Sequence, residues 1–83
     1  MRTTIKLQRT GHEWLQDRME ELNFRSLRAV AREIGINQGN LYRYFTFENR
    51  PSIALLPKMC QVFQCTPVEL LRALEVIGKK ETL

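Results

Sequence analysis

Gln38, Gly39, Asn40, Tyr42 and Arg43 fall within one short stretch, and all but Gly39 carry hydrogen-bonding side chains. The amides of Gln38 and Asn40 present a donor beside an acceptor, the pattern that matches adenine in the major groove of DNA. The guanidinium of Arg43 presents parallel donors, which match the two acceptors of guanine. Arg43 lies further along the same face, within reach of a base or a phosphate. Tyr42 combines an apolar ring suited to a thymine methyl with a hydroxyl suited to phosphate. Gly39 offers backbone only, at a position where a base contact belongs. The chemistry these types and spacings support is the reading of base edges.

A second set surrounds the first. Ser26, Arg28, Asn37, Tyr44, Asn49, Arg50, Ser52 and Lys58 carry hydroxyl, amide or cationic groups of the kind that hold phosphates. Plain packing is the competing role for Tyr42 and Tyr44, and a solvated charge explains Lys58 almost as well. Catalysis finds little support. His12 is the one histidine, and no serine or cysteine nucleophile has a base at a recognisable spacing. No metal site or cofactor is expected, because Cys60, Cys65 and His12 fall short of a ligand set. The two cysteines read as small core residues.

These side chains need helices to position them. Apolar residues recur at helical spacing in five short segments, which predicts an all-α domain. Trp14, Leu15, Met19 and Leu22 share a face of the first helix, closed by Asn23 and Phe24. Ser26 is a suitable N-cap for the second, whose stripe is Leu27, Val30, Ala31 and Ile34, and Gly35 stops it. Asn37 caps the third, Gln38–Phe45, with Leu41 and Phe45 facing inward. Ile53, Leu56, Met59, Cys60 and Phe63 belong to the fourth segment. Pro57 would break a helix that began at Ile53, so regular helix is expected from near Leu56. Thr66, Pro67 and Glu69 form a helix-start signature for the fifth, which runs through Val68, Leu71 and Leu74 to about Ile77 before Gly78. Two short helices around Gly35-Ile36-Asn37 make a helix-turn-helix, with Ile36 and Leu41 filling the angle. A simple helical hairpin with a solvated polar face is the alternative.

The composition agrees. Eighty-three residues make one domain, and 43% hydrophobic with 27% charged residues argues against wholesale disorder. Thirteen Lys and Arg against nine Asp and Glu give a net charge of +4, a mild preference for a polyanion. No apolar run is long enough to span a bilayer or serve as a secretory signal, so a cytoplasmic location is expected, on the nucleoid in a prokaryote. No small-molecule ligand is evident. Residues 1–10 are expected to form an arm, 11–78 the domain and 79–83 a tail. Thr3, Ile5 and Leu7 alternate with polar residues, the period of a strand, so the arm either pairs in a dimer or hangs loose. Arg2, Lys6 and Arg9 would let it touch DNA.

Residues 26–71 resemble the lambda-repressor-like, Cro-type (XRE) helix-turn-helix family without a gap. The run Ser26-Leu27-Arg28-Ala29-Val30-Ala31-Arg32-Glu33-Ile34-Gly35-Ile36-Asn37 is similar to that family's second helix and turn. Asn49-Arg50-Pro51-Ser52 is similar to the loop before its fourth helix. Leu56, Lys58, Met59, Val62, Phe63, Cys65, Thr66, Glu69 and Leu70 follow its last two. The departures are Leu27, where the family usually has a phosphate-touching Gln, and Phe47, where a Gly commonly follows the recognition helix. Residues 31–45 also resemble the signature of TetR-type repressors, in which tyrosines at the places of Tyr42 and Tyr44 contact phosphate or pack. Too few residues follow Phe45 for that family's ligand domain. Both resemblances imply DNA binding, with 38–45 as the recognition helix of a dimeric regulator, a repressor by expectation. Dimer contacts are expected from Ile5 and Leu7 or from Leu70, Leu74 and Ile77. A protein-interaction adaptor on the same fold is the competing function, and a ribbon-helix-helix binder using residues 3–8 ranks third.

Overall fold

The computed structural model describes residues 10–76. Local capping chemistry sets where each helix begins. Thr10 stands in extended conformation before α1 (Gly11–Glu21). Ser26 Oγ accepts from the Ala29 N–H at the start of α2 (Leu27–Ile34), and Asn37 Oδ1 accepts from the Asn40 N–H at the start of α3 (Gln38–Phe45). These caps satisfy donors that have no partner within the helix. α4 (Leu56–Phe63) carries Pro57 in its first turn, where the missing N–H costs nothing. At α5 (Pro67–Ala73), Thr66 Oγ1 accepts from the Glu69 N–H while Glu69 Oε1 accepts from the Thr66 N–H, a reciprocal capping box.

The helix ends share one device. After each helix a residue takes positive φ: Asn23 at 63°, Gly35 at 94°, Phe47 at 68°, Gln64 at 54° and Glu75 at 59°. The next N–H then folds back to a carbonyl in the last turn: Phe24 to Met19, Ile36 to Ala31, Glu48 to Arg43, Cys65 to Cys60 and Val76 to Leu71. This is the Schellman closure, for which glycine is the usual residue. Only Gly35 meets that preference here.

Packing follows from the apolar stripes. α2 lies on α3 and α4, α1 on α3 and α5, and α4 on α5. Leu15, Val30, Leu41, Phe45, Met59, Phe63 and Leu70 are fully buried between them. Trp14 stacks on Phe45 with centroids 5.8 Å apart and meets Phe63 edge-on at 5.4 Å, joining α1, α3 and α4. Arg18 of α1 donates from Nε to the Phe63 carbonyl at 2.8 Å and from Nη2 to the Gln64 carbonyl. It thereby covers acceptors left open at the end of α4.

Five helices in the expected order bear out the all-α helix-turn-helix reading, including the start of α4 at Leu56. Three details differ. α5 stops at Ala73 rather than near Ile77, because Glu75 adopts the left-handed conformation expected of Gly78. Ile53 does not join the α4 face. It sits in a turn, closed by the Leu55 N–H on the Ser52 carbonyl, and is 83% exposed. Leu70 and Leu74 are buried in the protein's own core, which removes them as dimer contacts. The arm, with Ile5 and Leu7, and the segment from Ile77 through the tail lie outside the described residues.

Candidate nucleic-acid interface

The orientation of α3 is fixed from behind. Leu41 and Phe45 are 0% and 1% exposed, and they lock the helix against α1 and α2. At 100° per residue, Gly39 and Arg43 lie diametrically opposite Leu41. Tyr42 and Asn40 flank this outward line, one on each side, while Tyr44 and Gln38 lie nearer the buried stripe, with Gln38 exposed because it opens the helix. Gln38, Gly39, Tyr42 and Arg43 are exposed, and Asn40 is half-buried. Tyr44 packs partly against the core, so its ring has the structural surroundings of the packing role.

Arg43 is held on two sides. Its Nη1 donates to Asn40 Oδ1 at 3.3 Å, and its Nε stands 4.0 Å from Glu48 Oε1. Thr46 Oγ1 in turn donates to Glu48 Oε2 at 3.2 Å. Beneath the guanidinium lies Gly39, where an added Cβ would come within 3.7 Å of Arg43 Nη1. On the other flank, the His12 ring stands edge-on to Tyr42, centroids 5.9 Å apart and planes at 72°. The first turn of α1 therefore adjoins α3. Neither His12 nor Glu48 stood out in the sequence. Their roles depend on which loop or helix end meets α3, and no local spacing reports that.

Apart from Tyr44, the expected phosphate-binding residues lie at the starts of α2, α3 and α4 and in the connection that follows α3. Ser26, Arg28, Asn37, Asn49, Arg50, Ser52 and Lys58 are all exposed. The oxygens of Ser26 and Asn37 are engaged as caps, which leaves the hydroxyl hydrogen and the amide NH2 free to donate outward. Asn49, Arg50 and Ser52 follow α3 in the connection to α4, and Lys58 sits in the first turn of α4.

Phe47 takes the left-handed conformation that glycine usually supplies after a recognition helix, and Glu48 N–H reaches Arg43 carbonyl at 3.0 Å. The departure in sequence thus leaves the backbone closure in place. Cys60 and Cys65 are free thiols half-buried against the core. Burial pushes the Cys65 thiol up to about 12, helped by the nearby Cys60 and Glu69, and burial likewise raises Cys60. Among the described residues, no three His, Cys, Asp or Glu side chains are grouped to hold a metal ion. No described helix is long and apolar enough to cross a membrane.

A central helix-turn-helix, closed by three further helices and presenting a polar outer face, defines a class of small DNA-binding domain. The model of the Cro/C1-type HTH DNA-binding domain matches residues 13–74, and the chain belongs to that family. Among curated proteins and among solved structures, none matches the chain significantly.

Proposed function

We propose that the protein is a sequence-specific regulator of transcription, a repressor that binds double-stranded DNA as a homodimer with α3 in the major groove. The observation that carries this is the division of α3 into two faces. Leu41 and Phe45 are sealed in the core, while Gly39, Asn40, Tyr42 and Arg43 share the outer side and Gln38 is exposed at the start of the helix. A helix held this rigidly by its scaffold suits direct readout. Ser26, Arg28, Asn37, Tyr44, Asn49, Arg50, Ser52 and Lys58 would grip the backbone on either side and set the register. Its place of action would be the cytoplasm, at the chromosome.

One such module offers roughly 600–1,000 Å² of contact, so specificity benefits from doubling. A two-fold dimer would place recognition helices about 34–36 Å apart, one turn of DNA. With Leu70 and Leu74 taken up by the core, the dimer contact would come from residues outside the described segment, such as Ile5, Leu7 or Ile77. Selection of bound duplexes from a random pool tests the reading. An enriched inverted repeat with one-turn spacing supports it. Binding without enrichment that vanishes by about 200 mM salt would refute it and favour an adaptor that meets another protein. Sedimentation at micromolar concentration tests the dimer, which a lone 9.8 kDa species would exclude.

A further inference from the structure

Resting on the DNA-binding reading, we infer that Arg43 reads a guanine and that Asn40 acts on the same base pair by positioning Arg43, not by reading an adenine of its own. Adenine recognition by asparagine needs both amide groups at once, Oδ1 accepting from N6 and Nδ2 donating to N7. Here Oδ1 is already the acceptor for Arg43 Nη1. Arginine has donors only, so the asparagine must turn its oxygen toward it. That oxygen keeps a second lone pair, but the direction in which the amide points is then set by Arg43 and not by a base of its own.

The same contacts prepare Arg43. Asn40 holds Nη1 and Glu48 stands at Nε, with the single hydroxyl hydrogen of Thr46 shared between the Glu48 carboxylate and the Arg43 carbonyl. Each contact alone is weak at an exposed site. Acting from opposite ends of a planar fork, they restrict its rotation and leave Nη2 and the second hydrogen of Nη1 free, the pair that spans guanine O6 and N7. An arginine spent on a base edge neutralises no phosphate directly, so its loss should change the salt slope less than the loss of a phosphate contact.

The test is selection from a random duplex pool, followed by titration of the winning site and its single-base variants with the wild-type protein and with Arg43→Ala, Asn40→Ala and Asn40→Asp. Circular dichroism establishes that each variant is folded. The wild type is expected to prefer guanine at one position of each half-site. Arg43→Ala should reduce that preference by roughly 5- to 140-fold, with a smaller change in salt slope than Arg50→Ala gives. Asn40→Ala should weaken preference at the same base pair. Asn40→Asp keeps an oxygen for Arg43 but has no amide donor, so it should lower affinity on all sites while retaining the guanine preference.

Loss of an adenine preference at a different pair in Asn40→Ala, with the guanine preference intact, would overturn the inference. So would an Arg43→Ala protein that binds all sequences more weakly by one factor, or an Asn40→Asp protein that loses guanine preference as Asn40→Ala does. Those results leave the DNA-reading function standing. A wild type with no base preference at all would sink both.

Discussion

The Phe47 ring lies against the backbone of Gly11, so close that a Cβ at Gly11 would meet Phe47 Cζ at 2.8 Å. The two residues tie the start of α1 to the loop that leaves the recognition helix. Gly11 is itself buried at φ +57°, with the Phe45 carbonyl oxygen 3.0 Å from the same point. Phe47, at φ 68°, holds the left-handed conformation that closes α3. Its ring contact compensates for a backbone shape that side chains disfavour by roughly 1–2 kcal/mol.

Gly11→Ala should therefore destabilise the domain by about 1–3 kcal/mol, through backbone strain and the clash together. Urea unfolding is expected to show a lower midpoint with an unchanged slope. Phe47→Ala removes the ring but neither the positive φ of Gly11 nor the Phe45 carbonyl. The double variant should lose less than the two single losses added together. Strict additivity would show that the two residues do not act through one contact.

The end of α4 offers a substitution in the opposite direction. Gln64 is exposed at φ 54°, and its carbonyl, not its side chain, receives Arg18. Gln64→Gly keeps that hydrogen bond and relieves the left-handed strain, against some added freedom in the unfolded chain. A net gain of about 0.5–1 kcal/mol is expected, read as a raised urea midpoint. No gain would mean the Gln64 side chain contributes as much as the strain costs.

Helix starts were legible because their chemistry is local: Ser26, Asn37 and Thr66 cap as their sequence context indicates. Helix ends were less so. A search for glycine finds Gly35 but not Phe47, Gln64 or Glu75, which are held left-handed within the folded chain. That is why a glycine search carries α5 on to Gly78, and why Phe47 reads as a departure from the family although it closes the helix as glycine would. The outer face of α3 followed from Leu41 and Phe45 alone. What the spacing did not disclose is that Asn40 and Glu48 both approach Arg43, because the second contact needs the α3–α4 connection to fold back on the helix.

Cys65 makes the stability of the domain sensitive to alkali. Its thiol is pushed up to about 12 from an ordinary value of 9.0, mainly by burial and then by Cys60 and Glu69. Above pH 9 the unfolded thiol loses its proton while the folded one keeps it, so stability falls as pH rises. The contribution is complete below about 9 and lost progressively between about 9 and about 12. Urea midpoints of wild type and Cys65→Ala, each taken near pH 8 and near pH 10.5, isolate this group from other titrations. The wild type should lose more than the variant over that interval, and equal losses would exclude Cys65 as the source.

Affinity and selectivity should separate between Arg50 and Gln38. Arg50 is exposed in the connection after α3, whereas Gln38 opens α3, the helix proposed to enter the groove. A cation on a phosphate releases about one counterion whatever the base sequence, so Arg50→Ala should weaken binding to every duplex alike. The slope of log affinity against log salt should then become shallower by about 0.9. Gln38→Ala removes no charge and should leave that slope unchanged. Its cost, roughly 1–3 kcal/mol, should fall on one base pair and appear only when the preferred site is compared with its variants. Titrating both proteins on the preferred and a scrambled duplex at four salt concentrations separates the two effects. A base-specific loss from Arg50→Ala with an unchanged slope would move that arginine into the groove. A uniform loss from Gln38→Ala would take the start of α3 away from the base edges.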